Sequence, residues 1–141
     1  TYYVKWDLAT DKIYSQPRET LRWWSGFPWA DGLVDSVLIF PKETGPAYTQ
    51  NTAYIFYGDE CCKWDMEQDK LAADGAACKI QERFPGYPFP RVDAVMISRY
   101  EGEPDANPES ADYDLTACLF YGNEYCKWDL ANDKLWGEPT K

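Results

Sequence analysis

Three pairs of aspartates spaced four residues apart follow a Lys-Trp in this chain: Asp7 with Asp11, Asp65 with Asp69, and Asp129 with Asp133. Two carboxylates held on one surface are the minimum equipment of an acid–base hydrolase of the glycosidase type. Each pair, however, sits in the same local text: Lys-Trp-Asp, a Leu or Met, two spacers and Asp-Lys, at residues 5–12, 63–70 and 127–134. Catalytic groups normally occur once per active site. A pair that recurs three times belongs to the grammar of a repeat, and the chain is expected not to be an enzyme.

Other reactive groups point the same way. None of the 141 residues is histidine, which removes the commonest metal ligand, the commonest general base and any Ser-His or Cys-His pair. The five cysteines, Cys61, Cys62, Cys78, Cys118 and Cys126, are odd in number and lack Cys-x-x-Cys spacing, so neither a zinc site nor a thioredoxin-like motif is indicated. They read as buried small hydrophobes in a reducing compartment, cytoplasmic or storage, with at least one thiol free or bonded to another chain. Glu101, Glu103, Asp105, Glu109, Asp112 and Asp114 crowd one polar stretch. A calcium loop would need a glycine and a terminal glutamate at set positions, and these are missing there, so the stretch reads as a solvated acidic loop.

Charge narrows the partners. Fourteen basic residues against 24 acidic ones give a net charge of −10, which disfavours nucleic acid and anionic membrane surfaces and favours cations. No apolar run approaches the roughly 20 residues of a membrane span, and the first residues do not read as a signal peptide. Hydrophobic content of 45% and aromatic content of 17% are ample for one packed domain over residues 1–141.

The elements that must position these residues follow from the repeat. The lysines of the three Lys-Trp-Asp copies are 58 and 64 residues apart. Val34-Asp35-Ser36-Val37 recurs as Val92-Asp93-Ala94-Val95 after 58 residues, the Ala53–Gly58 run recurs as Ala117–Gly122 after 64, and Phe27-Pro28 is matched to Phe84-Pro85 after 57. The extra residues of the last unit fall in 100–114, which marks a surface loop. "VDSVLIF" reads as an inner strand buried on both faces. Gly58-Asp59 and Gly122-Asn123 read as hairpin turns between a second and a third strand. Short helical turns are expected near Glu19–Trp24 and Ile80–Phe84, and an outer strand near Lys70-Leu71. Four short strands per unit form the blade of a β-propeller. Trp6, Trp64 and Trp128 then share one position on the third strand, between a blade and its neighbour, while the recurring Lys and Asp read as solvated strand edges and turn ends.

A unit of this form, Val-Asp-Ala-Val, Tyr-x-Phe-x-Gly-Asp, Lys-Trp-Asp and Ile-x-x-x-Phe-Pro-Gly-x-Pro, resembles the hemopexin-repeat family, and within it the hemopexin-fold seed albumins and related lectin-like proteins. The resemblance implies an all-β fold, a four-bladed propeller of which this chain supplies about two to two and a half blades. Residues 1–33 would be a partial repeat, 34–90 a complete one, and 92–141 a repeat lacking its outer segment. If the chain is complete, two copies would close the ring as a homo-oligomer, a dimer. The resemblance also implies structural calcium or sodium in the channel, held by the backbone carbonyls of Asp35, Val37, Asp93 and Val95. Histidine-ligated haem, known elsewhere in the wider family, is not carried over, because there is no histidine. The implied function is non-catalytic binding of a small cationic or planar ligand such as a polyamine. The alternative is a carbohydrate-binding lectin, with Trp23, Trp24, Trp29 and Trp136 offering flat faces to a ligand or glycan.

Overall fold

The computed structural model describes residues 2–7, 9–13, 15–40, 51–99 and 115–141. The first unit consists of four two-residue strands, β1 (Tyr2–Tyr3), β2 (Trp6–Asp7), β3 (Lys12–Ile13) and β4 (Arg18–Glu19), then one helical turn, α1 (Thr20–Trp23). The second unit holds β5 (Ser36–Ile39), β6 (Thr52–Tyr57), β7 (Glu60–Asp65), β8 (Lys70–Leu71), β9 (Cys78–Lys79) and α2 (Ile80–Arg83). The third holds β10 (Ala94–Arg99), β11 (Leu115–Tyr121), β12 (Glu124–Asp129) and β13 (Lys134–Thr140). Antiparallel sheets run β5-β6-β7-β8, with β9 also on β7, and β10-β11-β12-β13. The acidic stretch 100–114 lies outside the described residues.

Side-chain alternation along these strands explains the packing. Leu38, Phe40, Tyr54, Phe56 and Cys61 leave one face of the second unit's sheet and meet Ala117, Leu119, Cys126 and Trp128 of the third, with Ile80 and Phe84 of α2 closing the side. The opposite face, Ala53, Ile55, Cys62 and Trp64, packs on Trp29, Trp24 and Phe27 from the first unit. β6 is therefore buried on both faces. Each hairpin turns through a glycine in the left-handed region, Gly58 and Gly122 at φ +59°, as a two-residue turn of the II′ kind requires.

Recurrence is visible as geometry. The indole rings of Trp64 and Trp128 are buried between units, Trp64 lying 5.3 Å from the Trp24 ring and Trp128 5.0 Å from Phe84. The first aspartate of each motif caps the turn after it: Oδ1 of Asp7, Asp65 and Asp129 accepts the amide N–H groups two and three residues on, at 2.9–3.2 Å. The second aspartate, Asp11, Asp69 or Asp133, adopts a positive φ of 51–52°. In the last two copies it also accepts the indole N–H of the motif's own tryptophan, at 3.3 Å for Trp64 and 2.9 Å for Trp128.

Three sequence expectations need correction. The inner strand β5 is buried on one face only: Ser36 and Leu38 point into the core, whereas Val37 and Ile39 are exposed. Val37 and Ile39 share the face of their cross-strand partners Ile55 and Ala53, but they stand at the sheet's edge, and the Trp24, Phe27 and Trp29 side chains cover the strands behind them. The third unit does not lack a fourth strand, because β13 pairs with β12 from Asp129↔Lys134 to Tyr125↔Thr140. Gly137 and Pro139, both poor strand formers, hide its strand character in the sequence. The linker repeat also runs at 60 residues, not 57. Trp24 donates its N–H to Thr20 O just as Phe84 does to Ile80 O, Phe27 to Trp24 O just as Tyr87 does to Phe84 O, and Gly26 matches Gly86 in positive φ. Phe27 is thus the counterpart of Tyr87, and the match of Phe27-Pro28 to Phe84-Pro85 is a coincidence of two dipeptides.

Candidate functional site

The inner strands β5 and β10 lie side by side at the edges of their sheets, joined by a hydrogen bond from Ser36 Oγ to Val92 O at 2.9 Å. Phe40 donates its N–H to Thr52 O at 3.1 Å. Because hydrogen-bonded and non-bonded pairs alternate in an antiparallel ladder, Ser36 and Leu38 turn their backbone groups toward β6, while Val37 and Ile39 turn theirs to the open edge. β10 keeps the same register, Ala94↔Phe120 and Val95↔Leu119 matching Ser36↔Phe56 and Val37↔Ile55. The carbonyls of Val37 and Val95 therefore occupy equivalent places on two adjacent open edges.

Asp35 and Asp93 begin these strands and are anchored identically. Each donates its backbone N–H, at 2.8 Å, to the carbonyl of Phe56 or Phe120. Each accepts on Oδ2, also at 2.8 Å, the N–H of the hairpin glycine, Gly58 or Gly122. The carboxylate is thereby committed to tying the strand start to the turn. Arg91 adds an ion pair to Asp93 at 2.8 Å. Among the described residues no cluster of three or more His, Cys, Asp or Glu side chains is disposed to hold a metal.

The four tryptophans singled out in the sequence divide. Trp29 is buried and donates its indole N–H to Glu60 Oε2 at 3.1 Å. Trp24 is half-buried, its ring between those of Tyr3 and Trp64 at 5.3 Å from each. Trp23 is 49% exposed under the Arg18 guanidinium, which lies 4.5 Å from its ring. Trp136 is 39% exposed on β13 opposite Lys127. Trp23 and Trp136 are the more exposed of the four, and they sit on separate units.

Sequence reasoning missed Arg83. Its guanidinium lies over the Tyr54 ring at 4.2 Å and reaches Asp133 Oδ2 at 2.9 Å, joining α2 to the turn of the next unit. Its signal was the corrected repeat, which places Arg83 at the position of Trp23, a long flat group in both cases. The reading of the cysteines as buried hydrophobes fits Cys61, Cys62, Cys118 and Cys126, which are buried and free, while Cys78 is half-buried and free.

No family model matches the chain, and no curated protein matches it. Solved structures do. A 2S albumin seed protein from Dolichos superposes with a TM-score of 0.62 at 23% identity, covering 92% of this chain and 53% of its own. A plant albumin from Cicer arietinum showing hemagglutination gives 0.62 at 20%, covering 93% and 53%. The hemopexin fold protein CP4 from cow pea gives 0.60 at 19%, covering 99% and 58%. The site is thus built on the hemopexin fold. This chain spans little more than half the length of each of these structures.

Proposed function

We propose that this chain is a non-catalytic ligand-binding protein, two or more blades of a four-bladed hemopexin propeller, whose inner edges hold a structural cation and whose acidic surface receives a small cationic or planar ligand such as a polyamine. The observation that carries the reading is the paired placement of the Val37 and Val95 carbonyls on adjacent open strand edges. Calcium takes six to eight oxygens at about 2.3–2.6 Å, so two such blades offer part of a ring that further blades, from a second copy of this chain in the simplest assembly, complete. A hard cation, calcium or sodium, suits carbonyl ligands. The net charge of −10 draws cations toward the surface.

Exposed Trp23 and Trp136, together with the hemagglutination named for the Cicer arietinum albumin, favour a second reading, a lectin. Isothermal titration with spermine and a glycan array on the same preparation separate the two. Spermine binding that weakens steeply with salt supports the first reading. Sugar-specific array binding without spermine affinity replaces it with the second.

A further inference from the structure

Away from the inner edge, a cavity of about 200 Å³ opens beside β7 and β9, its lining including Cys61, Cys62, Cys78, Lys63, Asp74 and Arg83. Cys61 and Cys78 are direct partners across the two strands. Ile80 donates its N–H to Asp59 O at 3.0 Å, so the alternation of the ladder makes Cys61 and Cys78 a hydrogen-bonded pair. The Cα atoms of such a pair are about 5.5 Å apart, inside the roughly 4.4–6.8 Å span that a disulfide accepts. Both side chains leave the same face, and both thiols are free. Cys61 is buried at 1% exposure, whereas Cys78 is half-buried at the cavity.

Two cationic side chains share the cavity lining with these cysteines. Lys63, only 12% exposed, is held by Asp74 at 2.8 Å, and Arg83 lies across Tyr54. Cys62, the next residue of β7, also borders the cavity but packs into the separate core of the opposite face, and it is not the cross-strand partner of Cys78.

We propose that this cavity is a thiol–disulfide exchange site for small anionic disulfides, with Cys78 as the attacking sulfur and Cys61 as the resolving one. The Cys78 thiolate attacks one sulfur of the disulfide, forms a mixed disulfide and expels the other half as a thiolate. Cys61 then gives up its proton to that departing thiolate and attacks Cys78, forming the Cys61–Cys78 disulfide and releasing the second half. Two protein thiols are oxidised and one small disulfide is reduced to two thiols. Burial pushes the Cys61 thiol well above its ordinary range, which suits a group that stays protonated until its partner is capped.

The test exposes the intact chain to oxidised glutathione, with hydroxyethyl disulfide as the uncharged comparator, and reads intact mass and linked peptides. Wild type is expected to lose two hydrogens and yield a Cys61–Cys78 peptide, faster with oxidised glutathione. Cys61→Ala should retain one glutathione on Cys78, and Cys78→Ser should acquire neither modification. If Cys61→Ala does not fold, brief alkylation of reduced wild type by iodoacetamide must mark Cys78 first. No mass change in natively fluorescent wild type, or modification that falls first on Cys62, Cys118 or Cys126, overturns the proposal.

Discussion

Trp128 donates its indole N–H to Asp133 Oδ1 at 2.9 Å, and the other oxygen of that carboxylate holds Arg83 at 2.9 Å. Strand, turn and the preceding linker are locked through a single side chain, which explains why the tryptophan and the second aspartate recur together. The same joint in the preceding unit is looser: Trp64 reaches Asp69 at 3.3 Å, and the cation beside it, Lys5, is 4.0 Å away.

Asp133→Asn is expected to cost about 3 kcal/mol, because the Asp133 side chain is 2% exposed and Arg83 19% exposed, and breaking one partner of a buried pair strands the other charge. Asparagine tolerates the positive φ, so the loss isolates the charge. Asp69→Asn, at 60% exposure and facing Lys5, should cost less than about 1 kcal/mol. Urea unfolding followed by tryptophan fluorescence measures both, and equal losses would contradict the inequality of the two joints.

Gly75→Ala should be far more damaging than Gly58→Ala. A Cβ on Gly75 would stand 2.2 Å from Lys63 O, while one on Gly58 meets nothing within 4 Å and faces only its positive φ of +59°. The Gly58 substitution should cost on the order of 1 kcal/mol from backbone strain. The Gly75 substitution must displace the loop that bonds β7 through Lys63 N–H to Gly75 O. Thermal melts of the two variants give the order directly.

Stability should fall at high pH over a definite window. Burial pushes the Tyr54 hydroxyl from 10.0 to about 12, and the thiols of Cys62 and Cys126 from 9.0 to about 12. The folded state holds these protons more tightly than the unfolded chain, so their contribution is complete below pH 9 and is lost as pH rises through 12. Urea midpoints should therefore decline from pH 9 upward. Absorbance of tyrosinate should show Tyr54 titrating after the exposed tyrosines.

Asp93→Asn should leave cation binding intact, since the Asp93 carboxylate is occupied by the Gly122 N–H and by Arg91 and the amide oxygen of asparagine can still accept the former. Loss of the Arg91 contact, which is partly exposed, should cost less than about 1 kcal/mol. Calcium titration of the variant beside wild type checks this. Loss of binding from a natively folded variant would identify the side chain as a ligand.

Much of this was legible in the residues. Val-Asp-x-Val, the two glycine hairpins and Lys-Trp-Asp each describe a local element whose chemistry is complete within a few residues, and β5, β6, β7, β10, β11 and β12 lie where those motifs stand. What escaped depended on distant partners. The exposure of Val37 and Ile39 reflects which sheet lies opposite, β13 owes its strand state to pairing with β12, and Arg83 acquires a role only because Asp133 is brought to it across 50 residues. Trp23, Trp24 and Trp29, close in sequence, separate into open and buried faces for the same reason.

The central claim, that the inner strand edges of this fold hold a cation through backbone oxygens, is tested most directly by native mass spectrometry of the 141-residue chain after calcium titration. The expected result is an assembly of more than one copy retaining calcium, with Asp93→Asn retaining it equally. A folded protein that binds neither calcium nor sodium in any assembly state would contradict it.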